Sequence, residues 1–302
     1  MSLDFGRCSE NSSIRIDYSK CNSCGICVEI CKGNPLYMEN GKVKIDQSRL
    51  LGCIGCGQCV AACPFDCIEI SGRDISMDDF YQLNGKNDRS DYESLLALLE
   101  SRRSIREFKN QDVPEDILQK ILEATATSPM GLPPSEVKLL VVNGKEKVRT
   151  LAFEMIDELK KQGTFYKPFF LNLLRPFISK GDYLALKNFI RPVINTYLEK
   201  KKEGIDWLLY SAPLVIYFYG SEFIDPADPY IAATNSVIAA QSLGLGTCFI
   251  GLSGYCFQYS KLLQKKYGIR KEDKKGIIVI YGYPKFNFKK GIKRRFASVK
   301  YV

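Results

Sequence analysis

Two stretches decide how the amino-terminal region of this chain folds: Cys21-Asn22-Ser23-Cys24-Gly25-Ile26-Cys27-Val28-Glu29-Ile30-Cys31 and Cys53-Ile54-Gly55-Cys56-Gly57-Gln58-Cys59-Val60-Ala61-Ala62-Cys63-Pro64. Both have the spacing Cys-x2-Cys-x2-Cys-x3-Cys. Three cysteines at this interval wrap a tight loop whose thiolates face one centre. Gly25, Gly55 and Gly57 let backbone amides turn toward the ligand sulfurs. Nine of the twelve cysteines fall between Cys21 and Cys67, so the thiols form a local site.

The rest of the composition narrows the chemistry. The 302 residues, 45% hydrophobic and 25% charged, have an ordinary globular balance. There is no His, which removes Ser-His-Asp and Cys-His catalysis, His-bearing zinc sites and His-ligated haem. Residues 1–90 hold 10 basic and 12 acidic side chains, a net of −2, so the remainder carries +11 of the total +9. A basic surface suits a phosphate-bearing cofactor or an acidic partner; no recognition motif accompanies it, so nucleic-acid binding is not expected. No charged-then-apolar leader opens the chain, and the expected location is the cytoplasm, with the cysteines reduced and binding metal. Pro229–Ser260 is a 32-residue run without charge, but Asn235, Gln241, Gly244, Gly246, Gly251 and Gly254 interrupt it. It reads as a buried helix and a glycine-rich loop, not a membrane span.

The doubled cysteine spacing is that of bacterial ferredoxins, and residues 14–70 resemble a two-cluster ferredoxin domain. Zinc sites pair two two-Cys knuckles, which eight cysteines in two four-Cys runs would overfill. The resemblance implies two 4Fe-4S clusters with crossed ligation. Cys21, Cys24, Cys27 and Cys63 would hold one, and Cys53, Cys56, Cys59 and Cys31 the other. Lys32 stands where many ferredoxins have Pro, and Cys67 is a ninth cysteine. Cys8, Cys67, Cys248 and Cys256 read as buried or incidental thiols, and no nucleophile is nominated.

Short β-like runs at Ile14–Ile16, Val43–Ile45 and Cys67–Ile70 place the iron–sulfur domain at residues 1–73, with a polar linker over 74–90. Residues 91–302 read as one α+β domain. Helices are expected over Asp91–Ser101, Pro114–Thr127, Pro229–Leu243 and Gln258–Tyr267, and strands at Val137–Val142, Leu214–Tyr219, Ile277–Tyr281 and Phe296–Val302. Residues 164–202, with Phe165, Tyr166, Phe169, Phe170, Phe177, Tyr183, Phe189 and Tyr197, read as an aromatic helical insertion, either a pocket wall or plain packing.

Ser101-Arg102-Arg103-Ser104-Ile105-Arg106 gathers three Arg and two hydroxyls after a helix, suited to a phosphate and an electron-rich ring edge. No G-x-G-x-x-G occurs. With Ser128-Pro129-Met130-Gly131, Gln241 to Gly251, and Tyr281-Gly282-Tyr283-Pro284 followed by Lys293 and Arg295, residues 91–302 resemble the nitroreductase-like flavoproteins. The resemblance implies an FMN. Arg102, Arg103, Ser104 and Arg106 would contact phosphate, ribityl and pyrimidine edge, and Lys293 and Arg295 would complete the phosphate site. Phe249, Ile250 and Gly251 would lie along the ring, while Pro129, Met130 and Gly131 would approach it from a partner subunit. Leu132-Pro133-Pro134-Ser135-Glu136 replaces the family's usual Asn-x-Gln-Pro-Trp ending, a departure that implies a reshaped pocket.

The expected function is an oxidoreductase that takes electrons from reduced ferredoxin or a similar low-potential donor through the clusters to FMN. A small organic acceptor such as a nitroaromatic, quinone or activated alkene would then receive them. The sequence nominates no catalytic side chain. The alternatives are an electron-transfer adaptor without small-molecule turnover and an NAD(P)H-dependent reductase. A homodimer is expected, because the resembling family places its flavin between subunits.

Overall fold

Each cysteine run lies inside a β-α-β repeat. The structure, a computed structural model, describes residues 5–8, 10–162, 169, 172–173 and 175–302. Strand β1 (Ser13–Ile16), helix α1 (Ile26–Ile30) and β2 (Leu36–Glu39) form the first repeat; β3 (Lys42–Ile45), α2 (Gln58–Ala61) and β4 (Ile68–Ser71) form the second. The repeats interlock: β1 pairs antiparallel with β4, Ile14 opposite Ile70, and β2 pairs with β3 through the Asn40-Gly41 turn. Both turn residues have positive φ, the Asn-Gly signature of a tight hairpin. Gly25 and Gly57 precede the two short helices in the left-handed region, which a side chain would strain.

The core of this unit is thin. Ile14, Ile16, Leu36, Val43, Ile68 and Ile70 are its aliphatic members, and Cys27, Cys53, Cys59 and Cys67 supply the rest of its buried side chains. Ile75 and Phe80, in the stretch read as a linker, pack against it. The chain divides into two compact units, and Pro129–Val137 and Ser221–Asp228 cluster with the residues up to Arg89.

The second unit is built on a four-stranded sheet in the order β5 (Val137–Asn143), β6 (Leu214–Gly220), β8 (Lys274–Gly282), β7 (Gly246–Ile250). β8 runs antiparallel to both neighbours, with Leu214 opposite Tyr281 and Ile250 opposite Ile278. All of β6 is buried, as its unbroken apolar run requires of a strand covered on both faces. Gly276 admits β6 closely: a Cβ there would stand 1.9 Å from Phe218 O. Helix Lys145–Gln162 buries Val148, Leu151, Ala152, Met155, Ile156 and Leu159 at helical spacing against this sheet's core.

Several sequence expectations change form. The uncharged run becomes helix Asp228–Ser242, strand β7 and helix Gly254–Tyr259, and no helix among the described residues is long and apolar enough to cross a membrane. Gln258–Tyr267 is not one helix: Ser260 ends one and caps the next, its hydroxyl accepting from Leu263 N–H. Phe296–Val302 pairs with no strand among the described residues and is exposed. In the insertion, helix Lys180–Ala185 runs through a π-turn, Leu186–Ile190, into helix Arg191–Lys202. Pro192, lacking an N–H, leaves a carbonyl one turn earlier without its usual donor, which accounts for the wider turn. Ile194 and Tyr197 pack into the core, whereas Phe177 and Phe189 are exposed. Thr164, Phe165, Tyr166 and Phe170 lie outside the described residues.

Candidate functional site

Crossing the two repeats brings the fourth cysteine of each run to the other run's loop. One cavity is lined by Cys21, Cys24, Cys27 and Cys63, together with Cys67. The other is lined by Cys31, Cys53, Cys56 and Cys59. Electrostatics follow the same partition. Burial pushes the Cys27 thiol up, reinforced by the charges of Cys21, Cys24 and Cys63. Burial pushes Cys59 up to about 12, reinforced by Cys53, Cys31 and Cys56. Each pocket therefore penalises four bare thiolates and favours a cationic centre among them.

The donor set fits a cubane. Among the described residues no three Cys, Asp or Glu side chains converge on a single ion; the four thiols instead ring a cavity. Backbone amides turn toward the sulfurs: Ser23 N–H donates to Cys21 Sγ at 3.4 Å, and the backbone at Gly55 and Val60 works against burial at Cys53 and Cys59. Lys32, the departure after Cys31, turns back so that Nζ donates to Glu29 O at 3.0 Å, closing the end of α1.

Beyond the cysteines, Arg73 is the residue that sequence reasoning missed. Its φ of 51° turns the side chain inward, and only 5% of it is exposed. Nε donates to Ile54 O at 3.3 Å inside the second cysteine loop, Nη1 to Cys8 O and Glu10 O, and Nη2 to Pro133 O at 2.8 Å. Pro133 belongs to the stretch Leu132–Glu136 that departs from the resembling family. Arg7 N–H donates to Glu136 Oε1 at 2.6 Å and Arg7 Nε to Ser135 O. The altered loop is thus a seat for the chain's own amino-terminal segment. Gly131 N–H donates to Asp228 Oδ2 at 3.1 Å; Pro129 and Met130 flank it in the same unit.

In the second unit, helix α3 (Tyr92–Ser101) delivers the Arg-rich segment to the sheet. Asp91 caps it, accepting from Ser94 N–H at 2.7 Å. Ser104 then bridges Thr247 in parallel, and Ile105 N–H donates to Thr247 O. Gly246 permits that approach, since a Cβ there would stand 2.5 Å from Ile105. Burial raises the Cys248 thiol in the middle of β7, offset by Arg106, Ser104 and Arg102.

An open cleft is lined by Arg102, Arg103, Lys289, Lys290, Lys293 and Arg294. Arg103 is the clamp of this cleft: Nη1 donates to Glu100 O and Arg102 O, and Nη2 to Lys290 O at 3.1 Å. Its Nε is buried without a hydrogen-bond partner. The basic cleft and this unpaired donor suit a phosphate. Arg295 lies on the same exposed segment but outside the cleft's lining. Along β7, Phe249 points outward while Cys248 and Ile250 point into the core, so Ile250 could meet a ligand only through its backbone. Gly251 has nothing within 4 Å of an added Cβ, leaving an open approach.

The profile of the Nitroreductase family matches residues 99–283, and that of a 4Fe-4S dicluster domain matches residues 13–64. Over 53 residues the chain is 45% identical to the thiosulfate reductase electron transfer subunit of Salmonella typhi, covering 17% of this chain and 26% of that protein. Over 98 residues it is 30% identical to iodotyrosine deiodinase of Hydra vulgaris, covering 29% of this chain and 36% of that one. The alignments span between about a quarter and two fifths of the curated relatives. A nitroreductase with bound FMN from Bacteroides fragilis shares the fold with a TM-score of 0.51 at 20% identity, over 70% of this chain and 100% of that chain.

Proposed function

The chain belongs to the nitroreductase family and carries a 4Fe-4S dicluster domain, and we propose that it is a two-cluster, FMN-dependent oxidoreductase serving a small organic acceptor. The observation that carries this reading is the pair of cysteine-lined cavities, each with one crossed set of four thiols, in the same chain as a basic cleft at the Arg-rich segment. Cys21, Cys24, Cys27 and Cys63 hold one cluster, and Cys31, Cys53, Cys56 and Cys59 the other. Arg102, Arg103 and Lys293 supply positive charge to the FMN phosphate, with Arg295 adding to the field. Ser104 and Arg106 face the ring edge, and Phe249 and Gly251 leave room along it. When bound, clusters carry single electrons and a flavin converts between one-electron and two-electron chemistry. The protein's own part is to hold, orient and exclude water.

The donor class in this reading is reduced ferredoxin or a similar low-potential protein. An anaerobic absorption titration tests it, with iron and FMN quantified and either NAD(P)H or reduced ferredoxin added. Flavin bleaching by ferredoxin alone is the expected result. Rapid bleaching by NAD(P)H would make the clusters a side branch. Protein that retains clusters but no flavin would favour an electron-transfer adaptor, the reading closer to the electron transfer subunit matched at the amino terminus.

A homodimer completes the proposal. No residue of α3 is buried, and Leu95, Leu96 and Leu99 are exposed along it. Phe286, Phe288, Ile292 and Phe296 are exposed on the carboxyl-terminal segment. Apolar surface of this extent is normally covered. Light scattering is expected to give twice the 34.2 kDa chain mass; a monomer that retains FMN would contradict it.

A further inference from the structure

Five cysteines, not four, face the first thiol cavity. Cys67 immediately precedes β4, is 3% exposed, and lines the cavity beside Cys21, Cys24, Cys27 and Cys63. Its Sγ lies 3.4 Å from Cys63 Sγ, within sulfur hydrogen-bond range. The second cavity has its four cysteines and no fifth. The β-α-β repeat makes the comparison direct. Cys67 stands four residues after the last cysteine of the second run; four residues after the last cysteine of the first run stands Pro35. Proline has no N–H and no side-chain donor, so the repeat builds the same corner twice and equips it with a thiol once.

Four cysteines already fill the four corners that a cubane offers, which leaves Cys67 without a ligand's place. Two thiolates in contact in an enclosed pocket would repel, so one of the facing sulfurs serves as donor and the other as acceptor. Iron engages Cys63, which makes it the acceptor. We propose that Cys67 is a positioning residue that donates an S–H···S hydrogen bond to the iron-bound Cys63 sulfur and so raises the reduction potential of the first cluster. The inference rests on the two-cluster reading. A reduced cluster carries one more negative charge, part of it on the ligand sulfurs, and a donor there stabilises the reduced form more than the oxidised one. The second cluster, with Pro35 at the matching corner, lacks this aid, so the two clusters become inequivalent through one side chain.

The test uses the full chain, purified anaerobically, as wild type, Cys67→Ala, Cys67→Val, Cys67→Ser and Cys63→Ala. Iron and acid-labile sulfide are counted first. Wild type with iron for fewer than two four-iron clusters would defeat the two-cluster reading itself, before any variant is considered. With both clusters present, a redox titration followed by electron paramagnetic resonance reads the two midpoints. Cys67→Ala is expected to retain its iron and shift one midpoint to lower potential by a tenfold change in the reduction equilibrium, about 59 mV for one electron. The other midpoint stays in place. Cys67→Val, which refills the volume without a donor, reproduces the shift, and Cys67→Ser, which keeps a donor, reverses most of it. Unchanged midpoints in Ala and Val would reduce Cys67 to packing and overturn the proposal. Loss of one cluster's iron in Cys67→Ala with retention in Cys63→Ala would make Cys67 the ligand and overturn it equally.

Discussion

Arg73 shows how much one side chain can hold together. Its guanidinium sits among the carbonyls of Cys8, Glu10, Ile54 and Pro133, so the amino-terminal segment, the second cysteine loop and the altered 132–136 loop share one buried cation. Removing it leaves several carbonyls without donors. Arg73→Ala is expected to destabilise the first unit by on the order of 3 kcal/mol in anaerobic chemical denaturation. Arg73→Lys should recover less than half of that, because a point charge cannot span carbonyls that a planar fork reaches. Full recovery by Lys would show that charge alone matters. Asp273 is the corresponding residue of the second unit, its side chain 1% exposed. Burial raises its carboxyl, but Lys138 Nζ at 2.8 Å and the backbone and side chain of Arg270 outweigh burial and hold it below its ordinary 3.8. A folded value below the unfolded one contributes stability that is present above pH about 4 and lost as pH falls through the folded value. Asp273→Asn should therefore lower stability at neutral pH and flatten the acid limb of the stability profile. An unchanged acid limb would remove Asp273 from that account.

At the scale of elements, the legible parts were those with local signals. The two four-cysteine runs were legible from spacing and their crossing only through the ferredoxin resemblance, while β6, β8 and helix Asp228–Ser242 were legible from apolar runs too long to be loops. β7 was hidden inside a glycine-rich signature: five residues, opening on Gly246 and alternating Cys248 and Ile250 inward with Phe249 outward. The clamp role of Arg103 was invisible because its partner, Lys290 O, lies 187 positions away. Phe296–Val302 has a strand's alternation and no partner strand within the described residues. Alternation states that a segment can pair, and neighbours decide whether it does. Glycines separate structural from permissive positions in the same way. Gly276→Ala would put a methyl 1.9 Å from Phe218 O, a backbone atom in the middle of the sheet. It is expected to abolish the soluble folded second unit or lower its melting temperature by more than 10 °C, given roughly 2–8 °C per kcal/mol for domains of this range. Gly251→Ala, with open space around it, should leave melting unchanged. Equal melting of both variants would mean that β6 and β8 can separate without cost.

The whole chain divides its sources of stability as it divides its charge. The residues up to Arg89 have few aliphatic core members, and buried cysteines take the place that Leu and Ile hold elsewhere. The second unit has a continuous core of Val, Leu, Ile, Tyr and Phe around β6 and β8. Burial of apolar surface grows with domain size, and small units commonly depend on metal to fold. On the proposed ligation, iron would join the two repeats at their ends through Cys27, Cys53 and Cys59, which are buried thiols lining the two cavities. The dependence on metal should therefore be confined to one unit. Anaerobic treatment with an iron chelator, followed by hydrogen exchange, is expected to release the amides of β1 and β4 by at least tenfold in rate. Those of β6 and β8 should stay protected, because their hydrogen bonds are enclosed by side chains that touch no metal. Bleaching of cluster absorption and loss of β1–β4 protection should follow the same time course. Retained protection in β1 and β4 after complete iron removal would mean that the thin aliphatic core suffices alone, and the cysteines would then be passengers in the fold rather than its staples.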